Sequence, residues 1–118
     1  MATQTITINN FNTTNKDFSV TSSIDVNNGD TVEIFVEDDG TWPFGAGSQT
    51  CTLTFNETTI DIDPFNNTDH GSTSVQVSNG GTSSLGTVTQ SVTVEVADSY
   101  TISISDYSVD PDIIVDPE

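Results

Sequence analysis

Gly29-Asp30-Thr31-Val32-Glu33-Ile34-Phe35-Val36-Glu37-Asp38-Asp39-Gly40 reads as one strand held between two turns. Val32, Ile34 and Val36 recur at every second position, with Glu33, Phe35 and Glu37 between them. A β-strand sends successive side chains to opposite faces, so this spacing makes one apolar face and one mainly polar face. Phe35 falls on the polar face. An outward phenylalanine is either covered by another segment or belongs to an interface. The Asn, Asp and Gly residues at the two ends supply turn chemistry.

The same period runs outward in both directions. Ile6 and Ile8 alternate with threonines, as do Cys51, Leu53 and Phe55. Phe18, Val20, Ile24 and Val26 share a face, with Ser22 at the missing position. Ile60 and Ile62 flank Asp61, and Val75 and Val77 flank Gln76. Val92, Val94 and Val96 alternate with Ser91, Thr93 and Glu95, and Tyr100, Ile102 and Ile104 with Thr101 and Ser103. About eight short strands result, on the period-two signature. Asn27-Asn28-Gly29-Asp30, Asn66-Asn67, Asn79-Gly80-Gly81 and Ala97-Asp98-Ser99 read as turns between them.

One inward face per strand predicts an all-β fold, an antiparallel two-sheet β-sandwich of about seven or eight strands, immunoglobulin-like or jelly-roll. On strand spacing and composition, residues 3–105 resemble the small immunoglobulin-like modules of phage particles and bacterial surface proteins. The cysteine pair and core tryptophan of antibody domains are absent. The single cysteine, Cys51, reads as a small buried core residue. The expected organisation is a sandwich over residues 1–105 and an acidic, proline-bracketed tail over 106–118.

Charge narrows the partners. The 118 residues carry 18 acids, one lysine (Lys16) and no arginine, for a formal net charge of −17. Such a surface repels phosphate backbones and anionic lipid headgroups, which argues against nucleic-acid or membrane partners. No stretch is apolar enough to span a bilayer. The N-terminal Met1-Ala2-Thr3-Gln4 lacks the basic and apolar regions of a secretory signal. Together with a surface rich in Thr, Ser and Asn, this points to a virion or an extracellular setting reached without a visible signal peptide.

Three clusters are candidates for function. In the tail, Ile113, Ile114 and Val115 form an apolar triplet among acids and prolines. The triplet either folds back as an edge strand on its own sheet or frays, or it docks on a neighbour. In the docking reading these three, with Tyr107, Val109 and the outward Phe35, contact a neighbouring subunit by strand addition or by filling a groove. In the glycine-flanked loop Gly40–Gly47, Trp42 either folds over one end of the sandwich as a core lid or, with Phe44, is exposed as a candidate to stack on a carbohydrate or enter a protein pocket. Asp61, Asp63, Asn67 and Asp69 gather hard oxygen donors in one stretch, so calcium is the candidate metal, although the spacing is not that of an EF-hand.

Catalysis has little to draw on. The only histidine, His70, lies beside Gly71 in a turn-like stretch, and no strained nucleophile turn surrounds any serine. Type I copper is ruled out, because that site needs two histidines. The sequence is therefore read as a non-enzymatic, self-associating subunit of an exposed assembly, a virion decoration or fibre protein or an extracellular filament, joined by its tail. The alternative is a calcium-assisted carbohydrate-binding or adhesion module.

Overall fold

A computed structural model describes residues 2–117. The strands are β1 (Thr3–Asn12), β2 (Asp17–Val20), β3 (Ser23–Val26), β4 (Thr31–Val36), β5 (Gln49–Thr54), β6 (Ile62–Asp63) and β7 (Thr68–Asp69). They continue as β8 (Ser72–Val77), β9 (Thr82–Thr87), β10 (Val96–Ser99), β11 (Thr101–Ile104), β12 (Tyr107–Val109) and β13 (Asp112–Val115). No helix occurs among the described residues. The fold is all-β and sandwich-like, with more and shorter strands than the expected seven or eight.

Two four-stranded sheets, ordered β2-β1-β4-β9 and β12-β11-β5-β8, enclose the core. Ile6, Ile8, Val32, Ile34 and Val36 contribute from the first; Cys51, Leu53, Ile102 and Ile104 from the second; all nine are fully buried. Their alternation is the one visible in the sequence, because a strand packed on one side needs an apolar residue only at every second position. The flanks of the two sheets meet. On one side β2 packs against β12, and the Ser108 amide donates to the Lys16 carbonyl at 3.1 Å. On the other β8 packs against β9, and Ser83 Oγ donates to the Gln76 carbonyl at 2.6 Å.

The pairing is not purely antiparallel. β1 and β4 run parallel from Thr3↔Thr31 to Ile8↔Val36. β4 and β9 pair antiparallel, with a register shift at Val32/Glu33 opposite Ser84 and Gly86. Gly86 has φ +135°, a conformation that L side chains rarely adopt, so glycine carries the irregularity.

A third sheet, β10-β13-β3, contains the expected tail. β13 is its middle strand, parallel to β3 (Ile113↔Ile24, Val115↔Val26) and antiparallel to β10 (Asp98↔Ile113, Val96↔Val115). Residues 107–115 therefore belong to the same body as residues 3–104. The predicted boundary at 105 is corrected: Ile113 and Val115 are fully buried in the chain's own core. Water exclusion by β3 and β10 is available within the molecule, and Pro111 precedes the strand instead of interrupting it.

The stretch from Phe18 to Val26 is two strands in different sheets, not one, with Thr21 and Ser22 at the break. Val92 and Val94 lie outside any strand, and among the described residues Val94 and Ile60 are the large apolar residues left exposed.

Candidate functional site

The residues expected to hook a neighbour are largely committed within the chain. Ile113 and Val115 are buried, Tyr107 is buried, and Ile114 and Val109 are half-buried. β13 is hydrogen-bonded to strands on both sides, the Asp112 amide donates to the Ser22 carbonyl at 3.1 Å, and the Asp116 amide to that of Val26 at 2.8 Å. The tail folds back on its own body, as a middle strand and not an edge, and the expectation of a tail free to dock elsewhere is corrected: its backbone donors and the side chains of Ile113 and Val115 are already used. Phe35 sits half-buried on β4, between Thr7 of β1 and Thr82 of β9. Val109 instead lines a small open groove of about 210 Å³ with Val20, Ser22, Asp110 and Pro111.

Trp42 and Phe44 join an aromatic group at one end of the body. Phe11 lies edge-on to Trp42 (5.5 Å between centroids) and to Phe44 (5.8 Å), and Phe44 is edge-on to Tyr107 (5.2 Å). Trp42 Nε1 donates to the Gly45 carbonyl at 2.8 Å, so the indole closes its own loop. Both rings stay half-exposed. Lys16 Nζ stands 4.9 Å from the Tyr107 ring centroid and 3.6 Å from the Asp106 carboxylate, placing the chain's one lysine here.

The proposed calcium residues divide into two kinds. Asp61 and Asp63 are fully buried, whereas Asn67 and Asp69 are exposed. Asp61 Oδ1 accepts from Thr58 Oγ1 and the Ser99 amide, both at 2.9 Å, and its Oδ2 accepts from the Thr58 amide. Asp63 Oδ1 accepts from the Phe65 amide, and its Oδ2 from Asn66 Nδ2 and Thr73 Oγ1. These oxygens serve the chain's own loop donors, as Asx-turn carboxylates do. Among the described residues, no group of three His, Cys, Asp or Glu side chains is placed to hold a metal ion.

His70 is occupied as well. Its Nε2 lies 2.9 Å from the Thr58 carbonyl and its Nδ1 2.6 Å from Asp69 Oδ1. Both ring nitrogens therefore face oxygen acceptors, and neither faces a hydroxyl nucleophile. Burial pushes the Cys51 thiol up to about 12, which leaves it protonated and unreactive at neutral pH.

The sequence reading passed over two buried polar groups beside Asp61. Asp98 on β10 and Gln90 in the segment before it are both almost wholly buried. Asp98 Oδ1 accepts from the Ile62 amide at 3.1 Å, while Asp98 Oδ2 and Gln90 Oε1 have no hydrogen-bond partner. Desolvation by burial, reinforced by the neighbouring Asp61 and Asp63 charges, pushes the Asp98 carboxyl up to about 6. A signal was present: Asp98 is in phase with Val96, Tyr100, Ile102 and Ile104, so the alternation already placed it inward.

No protein-family model, curated protein or solved structure matches the chain.

Proposed function

We propose that the chain is a non-enzymatic structural module of an exposed assembly, of the immunoglobulin-like kind carried by virions and extracellular surfaces. The observation that carries this reading is the closure of the body. The flanks of the two large sheets pack on each other, and the last strand is held between two others. A molecule so closed, with its histidine and cysteine both committed, is suited to bear load and resist attack. Contact with other copies would run through its outer faces, away from β13. Like-charged copies at −17 repel, so association would require cations between subunits, high salt or a basic partner.

Light scattering at high protein concentration, with and without added calcium, tests the proposal. Self-association in either condition is expected. A strict monomer in both would overturn the subunit reading. It would favour the second one, a carbohydrate-binding or adhesion module, which draws on the half-exposed Trp42 and Phe44.

A further inference from the structure

Asn28-Gly29 and Asn79-Gly80 are the chain's two Asn-Gly steps. Asparagine is chemically labile, most of all before glycine, where no Cβ shields the next backbone nitrogen from the side-chain amide. Both steps occupy the same place in a β-turn. The Asp30 amide donates to the Asn27 carbonyl and the Gly81 amide to that of Ser78, each at 3.0 Å, and Gly29 and Gly80 have φ +98° and +76°. The two turns differ in how they are held. The Gly29 amide donates to the Val88 carbonyl at 2.9 Å. Buried Asp30 pins the same turn: its carboxylate accepts from the Ala2 and Asn27 amides, and its carbonyl from the Val88 amide at 2.8 Å. At the other turn Asn79 and Gly80 are both exposed, and among the described residues the Gly80 amide donates to no protein group. Its side-chain tie is Asn79 Nδ2, which donates to exposed Asp38 Oδ1 at 3.0 Å.

We propose that Asn79 is a site of self-modification, converting slowly to aspartate and isoaspartate while Asn28 is spared. The reaction needs only water and hydroxide. The Gly80 amide gives its proton to hydroxide, and its nitrogen bonds to Asn79 Cγ. The bond from Cγ to Nδ2 breaks, and Nδ2 takes a proton from water and leaves as ammonia. Water then opens the succinimide ring. Cleavage between the Gly80 nitrogen and Cγ gives aspartate. Cleavage between that nitrogen and the Asn79 main-chain carbonyl carbon gives isoaspartate, in which the chain runs through the side chain. Ring closure requires the Asn-Gly peptide to swing until the glycine nitrogen faces Cγ. At Asn79 the swing breaks one turn hydrogen bond and one exposed contact. At Asn28 it would also break the bond to Val88 and disturb Asp30, whose partners reach Ala2 on one side and Val88 on the other. Such local opening is far easier at an exposed tip than at a pinned turn.

The product changes a junction. Asp38 follows β4, and the Asn79 turn joins β8 to β9. The two turns touch: a Cβ at Gly80 would meet Asp38 Cβ at 3.5 Å, and the Val36 amide donates to the Gly81 carbonyl at 3.0 Å. Conversion removes the donor to Asp38 and sets a second carboxylate in its place, so attraction becomes repulsion. It adds one negative charge to a chain already at −17. Isoaspartate also inserts one carbon into the main chain of a tight turn. The tip therefore loosens with age at the flank where β8 and β9 bring the two large sheets together, and the bond from Val36 to Gly81 remains as the next anchor.

Ageing the unmodified, folded protein at mildly alkaline pH, in ordinary and in heavy-oxygen water, tests the proposal by fragmentation mass spectrometry of the whole chain. The amide-to-acid mass change is expected at Asn79, with one solvent oxygen incorporated and with fragments of both aspartate and isoaspartate. Its rate should be at least several-fold above that at Asn28. In denaturant, where neither turn exists, the two steps should convert at similar rates. Asn79→Asp, which carries the new charge from the start, should quicken hydrogen exchange of the Gly81 amide several-fold and leave Ile102 and Ile104 protected. A folded chain that converts at Asn28 as fast as at Asn79 would overturn the proposal. So would a folded chain that keeps Asn79 intact while the denatured chain converts. An Asn79→Asp chain with native exchange at Gly81 would overturn the loosening.

Discussion

Two buried aspartates respond to acid in opposite senses. The Asp30 carboxylate accepts from the Asn27 amide at 3.0 Å and the Ala2 amide at 2.9 Å, and these bonds hold its pKa below the ordinary 3.8. A depressed carboxyl contributes stability above its unfolded-state value, and that contribution fades as the pH falls through the folded one. Asp30→Ala should therefore cost about 1–3 kcal/mol at pH 7, and the difference from the native chain should shrink in urea titrations below pH 3.8. Asp98 has the reverse sign. Its raised value favours the folded state when protonated, so stability is lost as the pH climbs from 3.8 to about 6, a gap worth ~3 kcal/mol. Ile113 supplies a third test, independent of charge. Ile113→Ala should destabilise the isolated chain by about 2–5 kcal/mol, read as a lower denaturant midpoint with unchanged slope. A side chain docked only on a neighbour would leave the single chain's midpoint where it was.

At the scale of the strand, what was legible depended on how the apolar residues were spaced. β1, β4, β5 and β11 were plain because Ile, Val and Leu occupied every second position and nothing competed. β9 was missed. Its sequence Thr82-Ser83-Ser84-Leu85-Gly86-Thr87 has one large apolar residue, and serines and threonines carry no hydropathic period. Val92–Val96 failed in the other direction. Its period was clear, yet upstream anchors on Pro64 and Asp30 hold much of it as a loop, and the strand begins only at Val96. The triplet at 113–115 was recognised as apolar, with its own sheet and a neighbour both open to it, but its place as a middle strand was not legible. The pairing with β3 is parallel and joins distant parts of the sequence, and no local pattern announces such a contact. The reading of Trp42 as a lid over one end of the sandwich was open to the sequence, whereas its partner Phe11 lies on a distant strand that no local pattern names. Removing residues 112–118 should now remove the middle of a sheet. The expected result is a broad, early thermal transition by circular dichroism, not a stable body lacking a tail.

For the molecule as a whole, charge and shape act together. Eighteen acids against one lysine are spread over a body measuring 43 × 28 × 18 Å, so many carboxylates repel across short distances. Screening should relieve this. The melting temperature at pH 7 is expected to rise by several degrees between 20 mM and 1 M sodium chloride, as the Debye length falls from above 20 Å to about 3 Å. A flat salt response would mean that the acids are already compensated by bound cations. The placement of β13 has a further consequence during synthesis. Residues 23–26 emerge from the ribosome early, but the strand that completes their sheet emerges after every other strand described. The third sheet cannot close on a nascent chain until Val115 has cleared the exit tunnel. Such distant pairing is slow to form, so β3 waits exposed while the intervening strands are made, and a translational pause before β13 would prolong that vulnerable interval.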